Sequence, residues 1–206
     1  MRAFLTVLGF VLWVCAASFA AATLANTPSF DCAKASSSAE TLICSDAELA
    51  TLDIRLASVF KRAKRRAEGL DVGAQEAAQR LRAMQRGWIK GRDACWTSGD
   101  LRQCVQDAYL TREGELVAQW LLEKPISTVI YRCDAAIASE VSAFFFDTPR
   151  PSIRLEYSDR ILVGSVIPSA SGAKYATRFG TFFWSKENTG LFSWQEGKET
   201  PCVAFD

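Results

Sequence analysis

Ser171 and Lys174 stand in the spacing Ser-x-x-Lys within the segment SASGAKYA, residues 169–176. In penicillin-binding proteins and β-lactamases, a lysine at this spacing helps to activate a serine nucleophile. Those enzymes also carry S-D-N and K-T-G segments, whereas this chain has SDR at 158–160 and KENTG at 186–190. We expect Ser171 between two strands with no helix after it, so a serine-lysine dyad is not predicted.

Other enzyme chemistries find equally little support. Four carboxylates suit glycosidase work by residue type, but nothing singles out a pair among Glu156, Asp159, Glu187 and Glu196. The chain has no histidine, which removes His-based catalytic groups and most zinc sites. A net charge of +1 gives no case for a nucleic-acid partner. We therefore predict a protein that is not an enzyme and holds no metal or cofactor.

Residues 1–25 have the pattern of an export signal: an arginine, an apolar run over 3–14, and then small residues. Lipoprotein anchoring at Cys15 is the less favoured alternative, because Val14 stands where such sites take a small residue. The apolar run gives way to Ala and Ser too early for a membrane span. We predict a periplasmic protein without a stable membrane span in the mature chain.

The elements that would position any site fall into two parts. Residues 29–122 read as helical, with a capping-box spacing at Ser45 and Glu48. Three apolar stripes follow at helical spacing. They are Leu49, Leu52, Leu56 and Val59; Ala77, Leu81, Met84 and Trp88; and Val105, Tyr109, Leu116 and Trp120.

The pattern changes to short β-rich runs after a linker at 123–127, and the second part covers 128–206. The runs are TVIYRC, SIRLEY, RILVGSVI, KYATRFG, TFFWSK and GLFSWQ. Such runs favour a small antiparallel barrel or sandwich. The predicted fold class is thus α + β in separate domains, a small disulfide-stapled helical domain and then an antiparallel β-barrel.

Six cysteines remain beyond the signal, and an even number in an exported chain indicates disulfides. A Cys133–Cys202 bridge would tie the two ends of the barrel together. On the loop-entropy model this bridge would stabilise the folded protein by roughly 4 kcal/mol. Cys32–Cys44 and Cys95–Cys104 would then staple the helical part, with crossed pairings still open.

Four segments of the second part, in order and spacing, resemble MliC, the membrane-bound lysozyme inhibitor of c-type lysozyme. They are YRC at 131–133, SGAKY at 171–175, FFWSK at 182–186 and PCV at 201–203. The first part resembles the LprI-type domain, also associated with lysozyme inhibition. That second resemblance rests on FDCAKASSSAETLICSDAELATLDIRL, QRGWIKGRDACW and CVQDAYLTREGEL.

The MliC resemblance implies an eight-stranded barrel whose loops enter the lysozyme cleft. The inserted groups would be Ser171, with Gly172 and Tyr175 in the same motif, and Lys186. Glu187 departs from the glycine usual after that lysine, and a carboxylate there could compete for the Lys186 charge. The implied function is inhibition of c-type lysozyme, its protein partner. The alternative is a non-inhibitory envelope module that binds a lipid, a glycan or another envelope protein.

Overall fold

The computed structural model describes residues 27–134, 139–195 and 198–205. The predicted export signal and Cys15 lie outside these residues. A helical region comes first and an eight-stranded antiparallel barrel second, so the predicted fold class is confirmed. Across the described ranges, no helix has both the length and the apolar character that crossing a bilayer requires.

The helical region contains four α-helices and two short 3-10 turns, Cys32–Lys34 and Ala94–Thr97. The helices are α1 (Ser38–Ser45), α2 (Ala47–Glu68), α3 (Ala74–Asp93) and α4 (Leu101–Trp120). The three predicted apolar stripes fall on α2, α3 and α4, and most of their side chains are buried in one common core. The helices therefore form because their apolar faces cover one another.

The predicted capping box at Ser45 and Glu48 is wrong. Ser45 is the last residue of α1, and the N-cap of α2 is Asp46, whose carboxylate accepts the backbone N–H of Glu48 at 2.9 Å. The capping box is one helix earlier, where Ser37 and Glu40 bond each other's backbone N–H groups. The short helix α1 directly before α2 is what displaces the cap.

The barrel is an up-and-down sheet in which each strand pairs with the next and the last pairs with the first. Its strands are β1 (Ser127–Cys133), β2 (Glu140–Phe146), β3 (Ser152–Tyr157), β4 (Arg160–Ile167), β5 (Ala173–Ala176), β6 (Phe182–Lys186), β7 (Thr189–Gln195) and β8 (Lys198–Phe205). Pairing of β1 with β8 sets Cys133 opposite Cys202 and closes the sheet. Closure leaves the barrel without an unpaired edge.

The predicted strand KYATRFG is too long. β5 ends at Ala176, and Arg178–Gly180 forms a 3-10 turn in which Phe179 has φ +59°. The left-handed conformation at Phe179 and Gly180 breaks the extended backbone before β6 begins. The strands β2 and β8 were not among the runs picked out from the sequence.

All three expected disulfides are present, and the crossed pairings are excluded. Cys32–Cys44 and Cys95–Cys104 span 12 and 9 residues within the helical region. Cys133–Cys202 spans 69 residues and joins the first strand of the barrel to the last. The staples of the helical region are thus local, and the staple of the barrel is long-range.

Helix α4 packs against the outer face of the barrel as well as against the other helices. Phe146 of β2 and Val163 of β4 belong to the same buried cluster as the helix side chains. A Cβ on Gly114 would lie 2.9 Å from Ser152 Cβ, so only glycine lets helix and sheet approach this closely. Arg154 donates to the Gln119 carbonyl at 2.6 Å, which satisfies the C-terminal end of α4.

Candidate functional site

Two connections meet at one end of the barrel. Residues 168–172 join β4 to β5, and the two-residue turn 187–188 joins β6 to β7. Because β5 and β6 are antiparallel, the start of β5 lies beside the end of β6, and Ala173 pairs with Ser185. Ser171 and Lys186 are both exposed at this end. The structure therefore brings the two predicted residues into one surface.

Gly172 fixes how closely the two connections approach. Its φ is +64°, a left-handed conformation that favours glycine. A Cβ at this position would overlap the Ser185 carbonyl oxygen and lie 3.1 Å from Lys186 Cβ. Any side chain here would push the Ser171 loop away from β6, so glycine is required both for the conformation and for the contact.

Trp184 holds the Ser171 loop from the outside of the barrel. Its indole Nε1–H donates to the Ser171 carbonyl at 2.7 Å, and Ser169 Oγ donates to the Gly172 carbonyl at 3.1 Å. These bonds fix the backbone and leave the Ser171 hydroxyl exposed. Trp184 therefore supports the loop.

Lys174 turns away from Ser171. Its Nζ lies 3.8 Å from the Phe182 ring centroid and 5.5 Å from that of Trp184, on the outer face of the sheet. This is a cation-π arrangement on neighbouring strands. A lysine placed over aromatic rings is not positioned as the base of a serine nucleophile. The Ser-x-x-Lys spacing that suggests a hydrolase therefore does not produce one.

Lys186 ends β6 with an exposed side chain, and the ion pairs of the described residues do not include it. Glu187, the first residue of the following turn, has φ +51°, while Asn188 is not in a positive-φ conformation. Positive φ at the first position alone is the pattern of a type II′ turn, which favours glycine there. Glu187, which stands where the family usually has glycine, thus occupies a position at which an L side chain is strained.

Tyr175 does not share the exposed surface of Ser171 and Lys186. It points into the barrel, is only 6% exposed and packs against Phe145 with ring centroids 5.8 Å apart. Burial raises the pKa of the Tyr175 phenol, and the neighbouring Tyr131 raises it further. The hydroxyl stays protonated at neutral pH, and the residue supports β5 from inside.

The carboxylates considered for glycosidase chemistry do not form a pair. Glu156 accepts the Nε–H of Arg154 at 2.5 Å, and Glu187 lies in the turn after β6. Asp159 lies between β3 and β4, and Glu196 lies outside the described residues. The described part of the chain contains no group of three His, Cys, Asp or Glu side chains able to hold a metal ion.

Comparisons with known proteins match both halves of the chain. Residues 131–201 match the family model described as membrane-bound lysozyme-inhibitor of c-type lysozyme, MliC. Residues 32–99 match the family model described as lysozyme inhibitor LprI. Both descriptions are of proteins that inhibit an enzyme. The prediction that this chain is not an enzyme is therefore confirmed.

Two curated relatives cover both regions together. They are the proteins named lipoprotein LprI of Mycobacterium tuberculosis and of Mycobacterium bovis. Each is 32% identical over 181 residues, which cover 86% of this chain and 86% of the relative. The two family matches occur in the order of the two structural regions, helices first and barrel second. The chain therefore belongs to the LprI family of lysozyme inhibitors, with an MliC-type barrel as its second part.

Proposed function

We propose that this protein inhibits c-type lysozyme by placing Ser171 and Lys186 in the catalytic cleft of that enzyme. A role in lysozyme inhibition follows from the two families that the chain matches. The finer assignment is supported by the joint exposure of the two side chains at one end of the barrel. Two exposed groups on adjacent connections can enter a cleft together.

The chemistry of the two groups suits the target. Lysozyme uses a carboxylic acid kept neutral by an apolar pocket and a second carboxylate that stays ionised. The Lys186 ammonium complements the ionised carboxylate. The Ser171 hydroxyl both donates and accepts, so it can bond the other group in either protonation state. Inhibition would result because the two carboxyl groups are occupied and the sugar cannot bind.

The contact of Gly172 with β6 is the observation that carries this proposal. It ties the Ser171 loop to the backbone at Ser185 and Lys186, so the spacing of the two side chains is set before lysozyme arrives. A preorganised pair loses less conformational entropy on binding than two independent loops would.

The test is inhibition of c-type lysozyme by point variants of the intact protein. Intact chains are needed because α4 covers the outer face of the barrel, and separated halves would expose that surface. We expect Lys186→Glu to weaken inhibition roughly 10- to 100-fold or more, since it removes a charge-assisted bond and adds repulsion. Ser171→Ala should weaken it by roughly tenfold.

Lys198→Glu is the matched control. Lys198 is an exposed lysine at the opposite end of the barrel, beside the β7–β8 connection. The same charge reversal there should leave inhibition unchanged. Full inhibition by Lys186→Glu, or equal loss in both variants, would contradict the assigned pair. Absence of any complex with lysozyme would instead favour an envelope-binding role without inhibition.

Glu187→Gly tests the unusual residue beside Lys186. Glycine adopts the positive φ without strain, and the change removes a carboxylate next to the ammonium. We expect tighter inhibition by a few-fold and a stability gain of about 1 kcal/mol. Glu187→Gln separates the two effects, because it removes the charge and keeps the strain.

We further propose that the protein acts at the cell envelope. The relatives are named lipoproteins, and one family description says membrane-bound. The export signal, the periplasmic location and the choice between a cleaved signal and an anchor at Cys15 are part of this proposal. Detergent phase partition of the expressed protein, compared with Cys15→Ser, distinguishes an anchored from a free chain.

A further inference from the structure

A cavity of about 530 Å³ lies between the helical region and the barrel. Helices α3 and α4 form one side, and β4 with the β5–β6 connection forms the other. The β5–β6 connection lies at the opposite end of the barrel from Ser171 and Lys186, because β5 runs between the two connections. The cavity is therefore separate from the surface proposed to meet lysozyme.

The walls of this cavity combine aliphatic side chains with seven charged or polar ones. Helix α3 contributes Leu81 and Met84, helix α4 contributes Leu116, and β4 contributes Ile161 and Val163. The aromatic side chain of the lining is that of Trp120. An alkyl chain buried against these aliphatic side chains would lose apolar surface to water, which is favourable.

Arg112 of α4 lines the cavity with a donor that has no acceptor. The residue is 3% exposed, and its Nε and Nη1 donate to Gln85 Oε1 at 3.1 Å and to Glu115 Oε2 at 2.9 Å. Its Nη2 is buried and has no hydrogen-bond partner among the described residues. A buried guanidinium donor without an acceptor is costly, so an acceptor supplied by a ligand would be favourable.

Arg178, from the β5–β6 connection, lines the same cavity. Its guanidinium donates to Met84 Sδ, at 3.9 Å from Nη1 and 4.0 Å from Nη2, and thioether sulfur is a weak acceptor. Burial lowers the pKa of Arg112, Glu115 opposes this, and the charge of Arg178 lowers it further. The two guanidinium groups therefore repel each other, and Glu115 is paired with Arg112.

The remaining charged groups of the lining are Glu76, Arg80 and Asp159, and all three are exposed. Exposed charges are hydrated and screened, so they contribute little to the field inside the cavity. Of the two arginines, Arg112 is buried and paired with Glu115, whereas Arg178 is exposed like these three residues.

We propose that this cavity binds a single-chain anionic amphiphile, with its alkyl chain against Leu81, Leu116 and Val163 and its acid group paired with Arg178 and Arg112. The volume lies within the range typical of small-molecule sites. A carboxylate or a phosphate supplies the acceptor that the Arg112 Nη2 lacks and relieves the repulsion between the two cations. Fatty acids and alkyl phosphates share this chemistry.

The first experiment titrates the purified protein calorimetrically with dodecanoate and with dodecyl phosphate, both below their micelle concentrations. Dodecanol, which lacks the charge, and inorganic phosphate, which lacks the alkyl chain, are the controls. We expect at least one of the two amphiphiles to bind, and we expect dodecanol and inorganic phosphate to bind at least tenfold more weakly. The proposal would be overturned if dodecanol or inorganic phosphate bound as tightly as the two amphiphiles. It would also be overturned if an acidic amino sugar bound in their place.

Variants locate the site. Arg178→Gln should weaken amphiphile binding roughly tenfold, because it removes one charge-assisted pair. The matched control is Arg86→Gln, an exposed arginine of α3 outside the lining, which should change nothing. Ala77→Phe places a large ring in the cavity wall, leaves both arginines unchanged and should also reduce binding. Unchanged binding in both Arg178→Gln and Ala77→Phe would overturn the assignment.

The readouts of the two proposals are independent. Arg178→Gln should leave lysozyme inhibition intact, and Lys186→Glu should leave amphiphile binding intact. Circular dichroism of the same sample identifies a variant that has lost both activities because it is misfolded. Amphiphile binding that disappears in Lys186→Glu while the fold is retained would contradict a separate site.

Discussion

The helical region and the barrel bury different kinds of side chain. In the helical region Asp53, Arg92 and Tyr109 form a buried network, with Tyr109 Oη donating to Asp53 at 2.8 Å and Arg92 Nη1 donating to Tyr109 at 3.0 Å. The interior of the barrel is aromatic, and its rings meet edge to face, as Tyr131 and Phe183 do at 5.1 Å. Directional polar bonds thus specify the helical core, and close packing specifies the barrel core.

The network has a consequence for ionisation. Burial raises the pKa of Tyr109 strongly, the Arg92 charge opposes this, and Asp53 raises it further. The phenol therefore stays protonated at neutral pH, where it donates to Asp53. The comparison also extends to the disulfides, which are local in the helices and long-range in the barrel.

The largest expected effect is loss of the barrel disulfide. Cys133→Ala with Cys202→Ala should lower the free energy of unfolding by about 4 kcal/mol, because the loop that it closes is the longest. Removal of either helical disulfide should cost about 3 kcal/mol. Urea denaturation of the three double variants measures the order. A larger loss of unfolding free energy on removal of a helical disulfide would contradict this difference between the two regions.

Asp53→Ala should cost about 3 kcal/mol. It leaves the Tyr109 hydroxyl and the Ser29 N–H, which donates to Asp53 Oδ2 at 2.6 Å, without their acceptor. Asp71→Ala is the control at an exposed carboxylate of the loop before α3, and it should fall within about 0.5 kcal/mol of the parent protein. Equal stability of the two variants would show that the network does not stabilise the fold.

Gly114→Ala tests the junction between the two regions and should cost about 2 kcal/mol. The new Cβ meets Ser152 Cβ at 2.9 Å and the Arg150 carbonyl oxygen at 3.3 Å, so the helix or the sheet must shift. Gly91→Ala in α3 is the matched control, since no atom lies within 4 Å of its Cβ position. There alanine should stabilise the helix by about 0.5–1 kcal/mol. A gain in both variants would contradict the close junction.

The smallest effect concerns the cap of α2 and depends on pH. The Leu49 N–H lowers the pKa of the Asp46 carboxyl, burial opposes this, and Arg102 lowers it further. A lowered pKa in the folded state stabilises the protein above the unfolded pKa, and that stabilisation is lost as pH falls through the folded value. Asp46→Ala should therefore cost about 1 kcal/mol at pH 7 and less at pH 2. A cost that grows on acidification would contradict the sign.

Sequence patterns predicted two of the strands together with their bounds. SIRLEY and RILVGSVI coincide with β3 and β4. The segment EVSAFFF of β2 loses its alternation at 144–146, because Phe145 packs in the barrel while Phe144 and Phe146 pack against the helices. Strand β8 carries Pro201, which is unusual within a sheet.

The candidate site was predictable only in part. Ser171 and Lys186 came from resemblance to a family, since the 14 intervening positions of sequence carry no signal that they share a surface. The bond from Trp184 to the Ser171 carbonyl depends on the pairing of β5 with β6. The cavity of Arg112 and Arg178 depends on how two separately patterned regions pack, which no local pattern encodes.

Pairing of β1 with β8 also determines the order in which the two regions can fold during synthesis. A growing chain completes all four helices by residue 120, whereas the barrel cannot close until β8, ending at Phe205, is available. Until then β1 has an unpaired edge, and the surface of α4 that receives the barrel is uncovered. The helical region can mature early, and the barrel, its long-range disulfide and the Ser171–Lys186 surface must all wait for the final strand.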